Sequence, residues 1–342
     1  MLTNTKSKSN YFGLRTTLLG ASVAVISALG AQMPAAAADS VTLRMDVFFY
    51  GSHVPILSGI ANGIYKKHGL NVTANPGRGS ATVLQTVANR TDDFGFADGG
   101  THVKLAAKGL KAKQIFGILQ RSPMVVMAKP GSGISKPSDL NGRTGGFTPG
   151  SSPEQIFPAF AKIHGINLSS IKKVSADIPT RDSIFLLDKT QFSFGYSVTQ
   201  IPILQGRCKC KLVVMRYADH GITAISNGIV ASDALIAEKP GVVRRFVAAT
   251  SESFTAAIKN PEAAVDGFFK YAKKVRFSRE VVVNQWQETV KILHTDATKG
   301  KAYGYTAASD WQKTIDLLVN YADVPKGAVT PAMVHTNKFL PK

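Results

Sequence analysis

Cysteine is nearly absent from this chain: Cys208 and Cys210 are the only two in 342 residues. Two thiols with no paired His motif are weak ground for a metal or redox centre, and no metal and no cofactor is expected. Bridging a C-x-C closes a very tight ring, so sequence alone leaves open whether the pair is joined. Acidic residues are also scarce, 22 against 41 Lys and Arg, for a net charge of +19. That balance suits nucleic acid, anionic lipid or an anionic small ligand. The basic residues are scattered, however, in short pairs such as Lys66-Lys67, Lys172-Lys173, Arg244-Arg245 and Lys273-Lys274. No nucleic-acid motif accompanies them, so a solvated basic surface is expected and nucleic acid is not expected as a partner. Gly-x-Ser-x-Gly, His-Glu-x-x-His and P-loop signatures are missing, as are internal repeats and low-complexity segments. Beyond residue 38 no apolar run reaches the roughly 18 residues of a membrane-spanning helix, so a soluble mature protein is expected; a monomer is the expected state.

What is present begins with a leader. Lys6, Lys8 and Arg15 precede an apolar stretch from Leu18 to Leu29, and Ala35 to Ala38 supply small residues before Asp39. This is the pattern of a secretory signal peptide over residues 1–38, cleaved near Ala38, which would deliver the chain to the periplasm. An uncleaved amphipathic anchor is the alternative. No cysteine lies near the cut to carry a lipid. Loss of three basic residues leaves 38 against 22 acidic ones, a mature charge of +16.

From Thr42 to Gly100 the chain reads as strands that each end in a small-residue or polar loop leading into a helix. Thr42 to Tyr50 starts β-rich and breaks at Gly51-Ser52-His53; Ile56 to His68 carries apolar residues at helical spacing; Leu70 to Ala74 and Asp93 to Ala97 are further strands. Apolar strands follow at Ala112–Leu119 and Pro123–Ala128, with a Pro/Gly/Ser cluster at Lys129–Gly133 that reads as a crossing between lobes. Then come strands near Arg143–Phe147, Ile171–Ser175, Phe192–Val198 and Lys211–Met215, with helices over Glu154–Gly165 and Arg181–Asp188. Ile222 to Ala231 carries the chain back, and the remainder is mostly helical, closing in an extended tail at Asn337–Pro341. The fold class expected is α/β: a two-lobed clamshell, each lobe a mostly parallel sheet flanked by helices. Residues 39–128 and 229–342 form a discontinuous lobe I, and residues 129–228 form lobe II.

Several stretches carry a family resemblance in their order and spacing. They are His53-Val-Pro-Ile, Gly63 to Val72, Gly77-Arg-Gly-Ser80, Asp93 to Asp98, Lys136 to Gly142, Tyr217 to Gly221, Pro240 to Val247, Asn260 to Ala264 and Asn337 to Pro341. Together they span nearly the whole mature chain. The chain resembles the substrate-binding proteins of ABC importers in the nitrate/taurine group, including its thiamine-pyrimidine-synthase-like branch. The resemblance implies a type II-like periplasmic-binding-protein clamshell with no catalytic residues, which captures a small molecule and hands it to a permease in the inner membrane. An aromatic or heterocyclic ligand (a thiamine-pyrimidine precursor, or one like riboflavin) or an anion of the sulfonate or nitrate class is implied. The alternative is an enzyme of the pyrimidine-synthase branch, for which Cys208-Lys-Cys210 is a thin echo of an iron site. The sequence departs from the family at Lys189-Thr-Gln-Phe192 and at Phe48-Phe49-Tyr50, where relatives carry other residues.

Candidate ligand contacts follow from the strand ends, where ligands bind in open α/β sheets. Phe48, Phe49 and Tyr50 close the first strand and either stack on a flat ligand or alternate into the core. His53 follows in the same turn. Gly79 and Ser80 offer amides and a hydroxyl before a helix, or simply cap it. Asp98 with Thr101 ends the third strand, again as ligand partner or cap. From the second lobe come Phe147, Gly150, Ser151 and Ser152, then Tyr196 and Asp219; Tyr217 is a core residue or a further contact.

Overall fold

Alternation of buried and exposed residues makes the outer strand of the first sheet: Leu70, Val72 and Ala74 face inward while Asn71 and Thr73 face out. The central strands read instead as continuous apolar runs, Phe-Gly-Phe-Ala-Asp and Met-Val-Val-Met-Ala, because both of their faces are covered. The computed structural model describes residues 38–275 and 277–341; the leader read from the sequence lies outside them. No described helix is long and apolar enough to cross a membrane.

The chain first lays down β1 (Asp39–Arg44), α1 (Val54–Ala61), α2 (Ile64–Lys67), β2 (Leu70–Asn75), α3 (Ser80–Ala88), β3 (Phe94–Asp98), α4 (Gly99–Ala106) and β4 (Ala112–Gly117). It then builds a second unit from β5 (Met124–Ala128), β6 (Thr144–Phe147), α5 (Ser152–Ile163), β7 (Lys172–Ser175), α6 (Ile178–Leu186), β8 (Phe192–Tyr196), α7 (Gln200–Cys208) and β9 (Val213–Arg216). It returns through β10 (Asn227–Ser232) and ends in α8 (Asp233–Glu238), α9 (Pro240–Lys259), α10 (Pro261–Tyr271), α11 (Arg279–Val290), α12 (Ala308–Tyr321) and α13 (Pro331–Val334).

Two five-stranded sheets result, β2-β1-β3-β10-β4 and β7-β6-β8-β5-β9. Four strands of each run parallel, and the reversed one is the strand the chain enters directly after crossing from the other sheet. The expected mostly parallel sheets are therefore observed. One boundary shifts. Sequence reading places the first crossing after Ala128, but β5 pairs along its whole length with β8 and β9, so the crossing falls before Met124. A Pro/Gly/Ser cluster marks a surface turn as readily as a hinge, and here it is the former. The two crossings lie side by side, with Ser226 N–H donating to Leu119 O (2.9 Å) and Leu119 N–H to Asn227 O (2.7 Å).

Other differences have local causes. The helix read from Ile56 to His68 is two helices because Gly63 takes a left-handed conformation (φ 79°) between them. Strand β1 stops at Arg44, short of Phe48, because Gly79 N–H and Gly77 N–H donate to the carbonyls of Asp46 and Val47 and pull the chain out of the sheet. The tail at Asn337–Leu340 is a turn, not extended, pinned by the Asn337 amide to both backbone groups of Thr306. Helix α9 presents Phe246 to the first sheet, stacked on Phe94 with centroids 3.9 Å apart.

Candidate functional site

The carboxyl edges of the parallel strands in both sheets face a common cleft. Because β10 runs backwards, its first residue, Asn227, arrives at the same edge. The cleft holds a cavity of about 40 Å³ and is lined by Asp46, Val47, Tyr50, Gly79 and Ser80 from the first unit. From the second come Ser151, Ser152, Pro153, Ile178, Arg181, Gly195, Tyr196, Thr199 and Gln200.

The first wall is organised by Asp46, a buried carboxylate just past the end of β1. Its Oδ2 accepts from the Tyr50 hydroxyl and from Asn227 Nδ2, each at 3.0 Å. Its Oδ1 accepts from Val47 N–H at 2.9 Å and pairs with His53 Nε2 at 3.1 Å. Tyr50 N–H approaches His53 Nδ1 (3.4 Å), which puts the ring proton on Nε2, aimed at Asp46. Four donors thus occupy the four lone-pair sites of one carboxylate. Behind it, Asp98 accepts from the backbone and hydroxyl of Thr101 through Oδ1 (2.7 and 2.9 Å) and meets Ser226 Oγ through Oδ2 (2.9 Å). Burial pushes the Asp98 carboxyl up to about 6, against the pull of those hydrogen bonds. Burial, then Asp46, raises Tyr50 well above the usual phenol range, so it stays protonated and donating.

The second wall is assembled differently. Helices α5, α6 and α7 all begin at the cleft, and neither Ser151 nor Thr199, at the caps of α5 and α7, uses its side chain to cap. Ser151 is 5% exposed and Thr199 2%, yet their hydroxyls have no partner among the described residues. Arg181, 1% exposed, directs Nε and Nη2 at the same Asp182 oxygen (3.1 and 2.7 Å) and uses two of its five N–H groups there. Burial raises Asp182 despite that guanidinium.

Hydrogen bonds at the cleft join the walls. Ser152 Oγ donates to Ser80 Oγ (2.9 Å), the Tyr196 hydroxyl to Asn227 Oδ1 (2.8 Å), and Ala81 N–H to Gly150 O (3.3 Å). Burial, with Asp98 and Asp46 next, holds Tyr196 well above the phenol range, as a donor. Gly79 is required where it sits: its φ is 105°, and a Cβ there would lie 2.6 Å from Gly150 O.

The structure brings Tyr50, Gly79, Ser80, Ser151, Ser152 and Tyr196 to the cleft, with Gly150 against Gly79 at its edge. It places His53, Asp98 and Thr101 behind the first wall as buried supports. Phe147 goes to the core of the second unit, among Phe157, Phe192 and Phe194, and Tyr217 stacks on Phe160 nearby. Phe49 leaves the cleft to pack on Tyr271 around an outer groove, while Phe48, packed on Phe277, lines space between the two units beside Val47, Ile178 and Pro179, adjacent to the cleft. Asp219 is exposed on the turn Tyr217–His220. Sequence reasoning missed Asp46, Arg181, Thr199, Gln200 and Asn227. Asp46 carried a signal, as a lone acid inside a β-rich apolar run; the others carried none beyond lying near element starts. Cys208 and Cys210 are joined to each other at the far end of α7.

The sequence model of the family described as NMT1/THI5-like matches residues 51–264. The riboflavin-binding protein RibY of Chloroflexus aurantiacus is 26% identical over 307 residues, 89% of this chain and 86% of that protein. Among solved structures, the alkanesulfonate-binding protein SsuA from Xanthomonas axonopodis pv. citri superposes with a TM-score of 0.67 at 12% identity, covering 87% of this chain and 98% of that one. The periplasmic nitrate-binding protein NrtA from Synechocystis PCC 6803 gives 0.66 at 9% identity, covering 88% and 86%. These likenesses show a periplasmic-binding-protein fold.

Proposed function

The chain belongs to the NMT1/THI5-like family, and from that premise we propose that it is the extracytoplasmic solute-binding component of an ABC importer, without catalytic chemistry. It works in the periplasm as a soluble monomer after loss of the leader, closes two lobes on a small ligand and passes it to a permease. The observation that carries the reading is the cleft itself. Its walls come from equivalent edges of two separate sheets, and hydrogen bonds between Ser152 and Ser80 and between Tyr196 and Asn227 bridge them. A ligand that binds the closed arrangement better than the open one shifts that equilibrium by its differential affinity. Tyr50, Ser80, Ser151, Ser152, Arg181, Tyr196 and Thr199 are proposed to touch it, with His53, Asp98 and Thr101 holding the first wall in shape. The enzyme alternative draws on the two cysteines as iron ligands, and their sulfurs are committed to each other.

Thermal unfolding of residues 39–342 against thiamine pyrimidines, riboflavin, alkylsulfonates, nitrate and aromatic carboxylates tests this. A ligand at about 100 times its dissociation constant adds about 2.7 kcal/mol of stability, a shift readily seen. Stabilisation confined to one chemical class, with no turnover, is the expected result. Conversion of any of these compounds by the purified protein contradicts it.

A further inference from the structure

The unmet hydrogen-bonding capacity of the cleft is distributed unevenly. On the first wall every lone pair of Asp46 has a donor, and Asp98 is engaged by Thr101 and Ser226. Ser80 Oγ already accepts from Asp98 N–H and from Ser152 Oγ, so what it has left to give is its own proton. On the second wall the hydroxyls of Ser151 and Thr199 are buried without a partner, and Arg181 has three N–H groups beyond those on Asp182. A buried polar group without a partner is destabilising, so two such hydroxyls facing one cavity mark where a ligand atom belongs. What remains on offer is the donor capacity of Arg181 and of the Ser80 proton, with two hydroxyls beside it that can each donate or accept. The space is small as well: the cavity is about 40 Å³, well below the roughly 300–1,000 Å³ of ligand pockets. Of the three phenylalanines that would make an aromatic slot, Phe49 and Phe147 lie elsewhere and Phe48 lies beside the cleft, outside its lining.

We infer that the ligand is a compact molecule bearing an oxyanion (carboxylate, sulfonate or phosphate), received by Arg181, Ser151 and Thr199 on the second wall. The first wall closes over it as a preformed cover that adds chiefly the Ser80 hydroxyl. This rests on the solute-binding reading and narrows its ligand class. A guanidinium with free N–H groups presents the fork that matches two oxygens of one anion, and two hydroxyls add directional donors at helix starts, where the dipole also favours negative charge. Asp182 offsets the guanidinium when the cleft is empty, so the wall is neutral at rest and receptive when an anion enters.

The test uses matched probes that differ only in the charged group: benzoate with benzamide, ethanesulfonate with ethanesulfonamide, methyl phosphate with trimethyl phosphate, and riboflavin beside them. In calorimetric titrations of residues 39–342 the oxyanion of at least one pair is expected to bind at least 100-fold more tightly than its neutral partner. Ser151→Ala and Thr199→Val should each weaken that binding about tenfold while leaving the unliganded melting temperature unchanged or higher, since neither hydroxyl bonds to protein. Arg181→Gln combined with Asp182→Asn, which removes both charges together, should abolish the preference for the anion. Equal or tighter binding of a neutral probe or of riboflavin overturns the inference and leaves the solute-binding reading standing. Failure of every oxyanion to bind overturns the inference too, and if the neutral probes also fail, the solute-binding reading falls with it.

Discussion

The two walls of the cleft are built from the same strand order and reach opposite states of completion. The first wall holds two buried carboxylates, Asp46 and Asp98, and spends its donors on them: Tyr50, His53, Asn227, Thr101 and Ser226 all point at one or the other. The second wall holds a buried ion pair, Arg181 with Asp182, and leaves the hydroxyls of Ser151 and Thr199 without a partner among the described residues. A saturated network is rigid and specifies its own geometry, whereas an unsatisfied one is completed by whatever enters. Equivalent topology therefore fixes where the cleft lies, and the proposed division of roles follows from which wall keeps unfilled hydrogen-bonding capacity.

Breaking the saturated wall should have the largest effect. Asp46→Ala leaves four donors without their acceptor, and urea unfolding should show a loss of roughly 3–5 kcal/mol. If the loss is under about 1 kcal/mol, Asp46 is not the hub of that wall. The second effect depends on pH. Asp98 titrates near 6 when folded, against about 3.9 in an unfolded chain. A carboxyl whose folded pKa is raised contributes stability that is fully present below the unfolded value and lost as pH rises through the folded one. Between pH 4 and 7 this residue should thus cost about 2 kcal/mol, and Asp98→Asn should remove that part of the decline. A wild-type and variant pair with parallel pH profiles would contradict the assignment.

Closure can be attacked where the walls meet. Gly79→Ala sets a Cβ 2.6 Å from the Gly150 carbonyl, at a φ of 105°, and should destabilise the closed arrangement by roughly 1–3 kcal/mol. Small-angle scattering should then report a larger radius of gyration, and an unchanged radius speaks against this contact as part of closure. The smallest effect is expected at Tyr196→Phe, which removes one neutral donor from Asn227 while Ser226 remains near the same oxygen (3.0 Å). A loss of about 1 kcal/mol is expected by chemical denaturation.

Much of the architecture was legible because strand and helix periods differ, and because the βα loops ended in recognisable Gly and Ser clusters. The hinge was less so: Lys129–Gly133 has the composition of a linker, and only the pairing of β5 shows it to be a surface turn. At the site, residues next to glycines were found (Ser80, Ser151, Ser152), as was Tyr196 at a strand end. Arg181 was not, since a basic residue in the first turn of an amphipathic helix reads as solvated unless the packing above it is known; Gly146, which leaves room for its side chain, lies 35 positions away in sequence. Asn227 was hidden for another reason. Its place depends on β10 running against its neighbours, a property of the return crossing and not of any local pattern.

The most direct measurement is the dissociation constant of the tightest-binding ligand for Ser151→Ala beside wild type, with the unliganded melting temperature of each. A roughly tenfold loss of affinity with an undiminished melting temperature is expected if the second wall is the receiving one. Unchanged affinity, or a loss of affinity that merely follows a loss of stability, would contradict it.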